Sequence, residues 1–241
     1  MEEIKDLKSF FDFEKLKNTE YEEHQRKVEQ YEQEEKRLLE QKQVKQRLAY
    51  YHECNIEPEF YEKTISDYIP KTETQTKAKK IVEEIIKNKT GQLVLLGEHG
   101  LGKTMLASIA TMALCGRLYS MYEISTMIRQ SYTIRAERTE LEIVNELAKT
   151  PFLAIDELGR TKGGDAEQNW LSYVLDKRHV RKLPFMLISN GHFKKKCPNK
   201  GCAMCFENFV NNDILSRLRE RAHFIVVDGP DERLKKRQEL V

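Results

Sequence analysis

The chain has 241 residues, 39% of them apolar and 33% charged, and its 41 basic and 39 acidic side chains leave a formal net charge of +2. That length holds one catalytic globular domain with a smaller appendage, and the near-neutral balance excludes a global basic field, so any nucleic-acid contact must come from a local patch. No apolar run approaches the ~20 residues that span a bilayer and the charged N-terminus is no signal peptide, so no membrane role and a cytoplasmic location are expected, with the five cysteines as reduced thiols or metal ligands rather than disulfides.

The first stretch is helical in character. No proline precedes Pro58 and no glycine precedes Gly91. From Glu14 to Tyr50, 18 of 37 residues are charged, and Glu22/Arg26, Glu23/Lys27 and Glu32/Lys36 are spaced i, i+4. Tyr21, Val28, Tyr31, Leu38 and Leu48 make a thin stripe on a broken heptad, too little apolar surface for a core of its own. Residues 1–55 therefore read as a charged helical module that either stays solvated or leans on a partner. Phe10, Phe11 and Phe13 exceed what a solvated tail requires and favour docking.

From Ile56 the pattern turns to α/β alternation, and residues 56–241 are expected to form the catalytic domain. Thr76–Lys87 predicts a helix, Gln92–Leu96 a buried strand, and Met105–Cys115 the helix that follows it. Leu118–Ile124 reads as a strand, and Ser125–Arg135 and Thr139–Ala148 as helices. Another strand ends at Asp156, and Ala166–Val180 is a helix with Trp170, Val174 and Leu175 on its apolar face. Pro184–Ser189 and Phe224–Val227 read as the last strands. Strands alternating with helices imply a parallel sheet covered on both faces, with ligands at the carboxyl ends of the strands.

Two motifs supply the chemistry. Gly97, Glu98, His99, Gly100, Leu101, Gly102, Lys103 and Thr104 match G-x-x-x-x-G-K-[ST] between a strand and a helix, the P-loop arrangement. There the glycines let backbone N–H groups turn toward the phosphates of ATP, Lys103 adds a point charge, and Thr104 offers its hydroxyl to Mg²⁺. Phe152-Leu-Ala-Ile ends in Asp156 and Glu157, the form of a Walker B strand. Asp156 suits the Mg²⁺ water shell, and Glu157 suits orientation or deprotonation of an attacking water, so hydrolysis is expected rather than binding alone.

A third constellation lies between Asn190 and the last helix. Cys202 and Cys205 form a C-x-x-C knuckle, with Cys197 five residues upstream and proline and glycine to turn the chain. Three thiolates so close suit tetrahedral Zn²⁺, with His192 or His223 as the fourth ligand, although the spacing is not that of a standard finger. Reduced loop cysteines are the alternative. The lysine run at 194–196 also offers phosphates a basic loop.

Taken together, Gly97–Thr104, Phe152–Gly159, Leu187–Asn190 and Ser216–Arg219 resemble the DnaC/DnaI/IstB group of AAA+ ATPases, with Lys177-Arg178 and Asp231-Glu-Arg233 adding to the match. The resemblance runs from about Ile56 to Lys236. It implies an AAA+ P-loop core in which Asn190 is the sensor 1 residue at the γ-phosphate. Arg217 would be the arginine finger lent to a neighbouring subunit, with Arg219 and Arg221 as close alternatives, and Arg233 the sensor 2 arginine closing on nucleotide. Self-association on ATP follows from a finger acting in trans. The resemblance implies a loader that grips the replicative helicase through the N-terminal module and delivers it onto single-stranded DNA. An IstB-like helper that remodels target DNA for a transposase is the alternative. The cysteine cluster departs from the family pattern.

Overall fold

The computed structural model describes residues 2–159, 164–197, 199, 202 and 204–232, with backbone alone for 2–25, 28, 29 and 196. It divides into two units, Met1–Tyr50 and Tyr51–Val241. The first is helix α1, Glu2–Glu53, whose last turn belongs to the second unit. With no proline or glycine in this stretch, nothing interrupts its hydrogen-bond ladder. In the first unit, Tyr31, Leu38, Leu39, Val44 and Leu48 are all exposed. The side chains of Phe10, Phe11 and Phe13 lie outside the described residues.

The second unit is built on five parallel strands, β1 (Gln92–Leu96), β2 (Arg117–Ser120), β3 (Leu153–Asp156), β4 (Phe185–Ser189) and β5 (His223–Val226), in the order β2-β3-β4-β1-β5. Around it run α2 (Glu73–Asn88), α3 (Lys103–Ala113), α4 (Met121–Gln130), α5 (Glu140–Lys149), α6 (Asp165–Val180) and α7 (Asn212–Arg221). On one face Val94, Leu96, Leu153, Ile155, Phe185 and Leu187 pack with Ile124, Val144, Leu171, Val174 and Ile214 in one core. The alternate residues Leu93, Leu95, Ala154, Met186 and Ile188 are buried as well, as both faces of a parallel sheet require. Residues 51–56 also belong here. Tyr51, Cys54 and Ile56 are buried, Cys54 O accepts from Leu118 N–H at 3.1 Å, and Asn55 Nδ2 donates to Leu118 O at 2.8 Å.

One expectation is corrected. The strand expected over Leu118–Ile124 ends at Ser120, and a helix begins at Met121, ahead of the helix expected from Ser125. Ser120 and Glu123 form a reciprocal capping box, with Glu123 N–H donating to Ser120 Oγ and Ser120 N–H to Glu123 Oε2. Met121, Ile124 and Ile128 then fall on one buried helical face. Apolar composition alone does not separate a strand from the first turn of a helix. The Ser-x-x-Glu signal does.

Arg178 ties the amino end of the sheet together. Its side chain is fully buried, and its guanidinium donates to Leu147 O and Thr150 O at 2.8 Å and to Pro184 O at 2.5 Å. Burial works against its charge, and the converging carbonyls offset that cost. The end of α5, the start of β3 and the start of β4 are thereby pinned to α6. Arg178→Met, which keeps the length but leaves those carbonyls unpaired, is expected to destabilise the second unit by at least about 2 kcal/mol in denaturant unfolding. A midpoint equal to the unsubstituted protein's would show that the carbonyls find other donors.

Candidate functional site

The site forms where β3, β4 and β1 end side by side. Leu96 is paired with Ser189, and Leu158 N–H donates to Ile188 O at 2.9 Å, so the ends of the three strands lie level. Gly97 follows β1 with a φ of 137°, where a Cβ would stand 2.3 Å from Val227 O. Gly100 and Gly102 also have positive φ, which side chains rarely adopt. Gly102 is the N-cap of α3, so the loop delivers its amides and the helix's positive end to one spot. Lys103 opens that helix, buried, with Nζ donating to Gly97 O at 2.7 Å and Glu98 O at 2.5 Å. Glu98 and His99 are exposed, and Leu101 is buried beneath the loop.

Thr104 and Asp156 meet across the sheet. Thr104 Oγ1 donates to Asp156 Oδ2 at 2.7 Å, which joins the P-loop helix to the end of β3. A hydroxyl and a carboxylate at this separation, beside a phosphate-binding loop, form the donor set that hard divalent cations take, so the residues fit Mg²⁺. Glu157 then leaves the strand in a left-handed conformation, φ 56°, its N–H donating to Asp156 Oδ1 at 2.6 Å. A glutamate held in that region costs backbone energy that surrounding structure must supply, a pattern common at reactive sites. Burial pushes the Asp156 carboxyl up; Thr104, the Glu157 amide and Lys103 pull it back in part. Asn190 follows β4, half-buried, between the ends of β3 and β1.

Arg217 lies elsewhere. It sits on α7 in an ion pair with Asp176 of α6, in a small cleft with Gln92 and Phe185, the first residues of β1 and β4. The amino end of the sheet is thus its neighbourhood, and the P-loop of its own chain follows the opposite end. Arg219 lies 3.9 Å from Glu207, and Arg221 pairs with Glu220 at 3.1 Å. Arg233 lies outside the described residues.

The cysteine cluster converges. One ligand atom each from His192, Cys197, Cys202 and Cys205 lies within 4.8 Å of all the others. His192 Nε2 is 3.5 Å from Cys202 Sγ and 3.7 Å from Cys205 Sγ. Tetrahedral Zn²⁺, with Zn–S near 2.3 Å and Zn–N near 2.0 Å, places its ligand atoms about 3.5–3.8 Å apart. The donor set and its spacing therefore fit zinc. His223, the other histidine considered, opens β5 opposite Leu93, at the amino end of the sheet.

Sequence reading missed what backs the P-loop. Tyr68 is buried, its hydroxyl donating to Leu101 O at 3.4 Å and its ring 2.7 Å from where a Gly102 Cβ would stand. Burial, helped by the Glu232 charge, pushes the Tyr68 phenol up to about 12, so at neutral pH it keeps its proton and donates. Glu232 N–H donates to Gly100 O at 3.1 Å, and its carboxylate pairs with Lys71. Tyr68 stands in no motif, and the Glu232 contact, although it lies within Asp231-Glu-Arg233, joins segments far apart in the chain.

Because the folded state holds Asp156 above its ordinary pKa, ionising it costs stability that the protonated form does not lose. That contribution is present at low pH and lost as pH rises through the folded pKa. Asp156→Asn is therefore expected to raise the melting temperature of the ligand-free protein at about pH 8, with the gain shrinking toward about pH 4. A gain that stays constant with pH, or a loss at pH 8, would contradict this.

Comparison with known proteins places the fold. The profile of the IstB-like ATP binding protein family matches residues 59–240. No curated protein sequence matches the chain. Among solved structures, the DnaC helicase loader aligns with a TM-score of 0.56 and 18% identity over 71% of this chain and 100% of that one. DnaI aligns with a TM-score of 0.56 and 19% identity over 72% of this chain and 95% of that one. AMPPCP-bound DnaA from Aquifex aeolicus gives 0.58 and 18% over 76% of this chain and 55% of that one, so this chain spans about half of DnaA. At such identities the likeness shows the fold alone, a parallel α/β sheet with a P-loop after its first strand. The family match, covering all the nucleotide-site motifs, shows that this chain belongs to the IstB-like ATP-binding proteins and is a P-loop ATPase.

Proposed function

We propose that this ATPase is a helicase loader of the DnaC type, working in the cytoplasm and using ATP to control delivery of the replicative helicase onto single-stranded DNA. The observation that carries this reading is the pairing of an AAA+ core with a long, charged helix on which, among the described side chains, Tyr31, Leu38, Leu39, Val44 and Leu48 are exposed. Such a helix gains little from its own packing and is stabilised by a surface to lie against. The core aligns over the whole of the DnaC loader structure, which supports the same reading. A second reading, a helper that remodels target DNA for a transposase, is favoured by the family's IstB-like character.

In this reading residues 1–55 hold the partner and residues 56–241 are the engine. The amides of Gly97–Thr104 and the Lys103 ammonium bind the phosphates of ATP. Mg²⁺, held by Thr104 and Asp156, would neutralise charge on the transferred phosphoryl group. Glu157 takes the proton of the attacking water, and Asn190 orients that water or the γ-phosphate. Arg217 is offered to the site of a neighbouring subunit, consistent with its place at the amino end of the sheet. That subunit must first displace its ion pair with Asp176, which makes ATP-dependent self-association part of the mechanism. Arg233 closes on the nucleotide from the C-terminal side. The His192, Cys197, Cys202 and Cys205 cluster holds a structural zinc.

Two experiments test the reading. Glu157→Gln is expected to bind ATP normally and to hydrolyse it about 100-fold more slowly, and Arg217→Ala to bind normally and lose a comparable factor. Mixing the two should recover part of the activity at interfaces where an intact site meets an intact finger. Native turnover in Glu157→Gln, or no recovery with both variants co-assembled, would refute these roles. For the partner, deletion of residues 1–50 should abolish capture of the replicative helicase while ATP binding remains. Capture of a transposase instead of the helicase would favour the second reading, and undiminished helicase capture by the truncated chain would place the contact on the core.

A further inference from the structure

The cysteine cluster is placed to do more than hold its own loop. His192 is two residues beyond Asn190, and its backbone is clasped by the other limb of the cluster. His192 N–H donates to Met204 O at 3.1 Å, and Phe206 N–H donates to His192 O at 2.8 Å. A Cβ on Gly191 would stand 2.5 Å from Met204 O, so the Cys202–Cys205 limb lies directly on the residue after Asn190. Four residues past Cys205, the Phe209 ring covers Gly159 so closely that a Cβ there would fall 2.1 Å from it, and the same ring lies 3.3 Å from a Gly191 Cβ. Phe209 therefore wedges between the turn after Glu157 and the turn after Asn190.

The same segment grips the helices on either side. Gln168 of α6 donates from Nε2 to Phe209 O at 2.5 Å and accepts at Oε1 from Asn211 N–H at 2.9 Å. Asn211 in turn caps α7, accepting from Ile214 N–H at 2.8 Å. Lys194 N–H donates to Glu207 Oε2 at 2.9 Å, and Glu207 faces Arg219 of α7. The P-loop is backed instead by Tyr68, Val227 and the 231–232 segment. Proteins transmit small displacements through close-packed contacts of this kind because the packing leaves little room to absorb them.

We propose that metal held by His192, Cys197, Cys202 and Cys205 positions Asn190 and the Glu157–Gly159 turn for hydrolysis, with Phe209 as the positioning residue that transmits it. This rests on the zinc reading above. The metal fixes His192 against Cys205, which sets where β4 ends and where Phe209 sits. Phe206 stays buried against Phe193 and Phe224, ring centroids 6.5 and 6.1 Å away, so apolar packing retains the segment without metal while its register at Asn190 loosens. Loss of zinc thus impairs turnover and spares ATP binding, which the P-loop carries.

The test uses the full chain, Cys202→Ser, which lacks a ligand, and Phe209→Ala, which keeps all four. Elemental analysis should find stoichiometric zinc in the unsubstituted chain and in Phe209→Ala, and none in Cys202→Ser. Both variants should hold ATP affinity within about twofold and lose between about tenfold and about 100-fold in kcat, the upper figure being the scale of a catalytic group displaced by about 1 Å. Adding Asn190→Ala to either variant should cost less than the product of the separate losses, because both act through one residue. Phe209→Leu should recover part of the rate. Absence of zinc from the unsubstituted chain overturns the metal reading and this proposal together. Zinc in that chain, with a folded, zinc-free Cys202→Ser turning over at the native rate, overturns the coupling and leaves the metal site standing. Should Cys202→Ser not fold, Phe209→Ala decides: a native kcat, or losses with Asn190→Ala that multiply in full, overturns the proposal.

Discussion

Everything at the nucleotide site depends on β4 lying between β3 and β1 in a parallel ladder. Parallel pairing brings the carboxyl ends of three strands to one level, and each strand end carries a different polar group: the P-loop after β1, Asp156 at β3 and Asn190 after β4. The Thr104–Asp156 hydrogen bond forms only because α3 starts above β1 while β3 stops two strands away at the same height. Sliding any of these strands by one residue would exchange the side chains packed on its two covered faces and move the group at its end, so the core that holds the register also holds the site.

The site is assembled from groups that are unfavourable in isolation. Lys103 is a buried cation, Asp156 a carboxylate that burial resists, and Glu157 a side-chain-bearing residue in left-handed backbone. Each is held by neighbours: Lys103 by the carbonyls of Gly97 and Glu98, Asp156 by Thr104 and the Glu157 amide. A nucleotide with its cation supplies opposite charge to both sides of this set.

The elements flanking the site divide the work. Tyr68 and Glu232, from either end of the ATPase unit, press on the binding loop, whereas Met204 and Phe209 press on the turns after Glu157 and Asn190. Arg217 stands apart from both, paired with Asp176 in a cleft with the first residues of β1 and β4.

The strands β1, β3 and β4 were legible because each is a short continuous apolar run, and Gly97–Thr104 and Asp156-Glu157 because their chemistry depends on covalent spacing that the chain carries unaided. The strand expected over Leu118–Ile124 stops at Ser120 because the Ser120–Glu123 capping box, a local signal, starts a helix where the apolar composition alone fits a strand. The choice of His192 over His223 was not local. It depends on which end of the sheet each strand presents, and only strand order and direction place one beside the thiols and the other at the opposite end. The same holds for Tyr68 on Gly102, Phe209 between Gly159 and Gly191, and the carbonyls around Arg178. By itself the sequence determined the chemical groups, their local order and the alternation that makes the sheet parallel. The tertiary structure alone decided which distant residues share a site, because hydrogen-bond register and close packing, not spacing along the chain, bring them within contact distance.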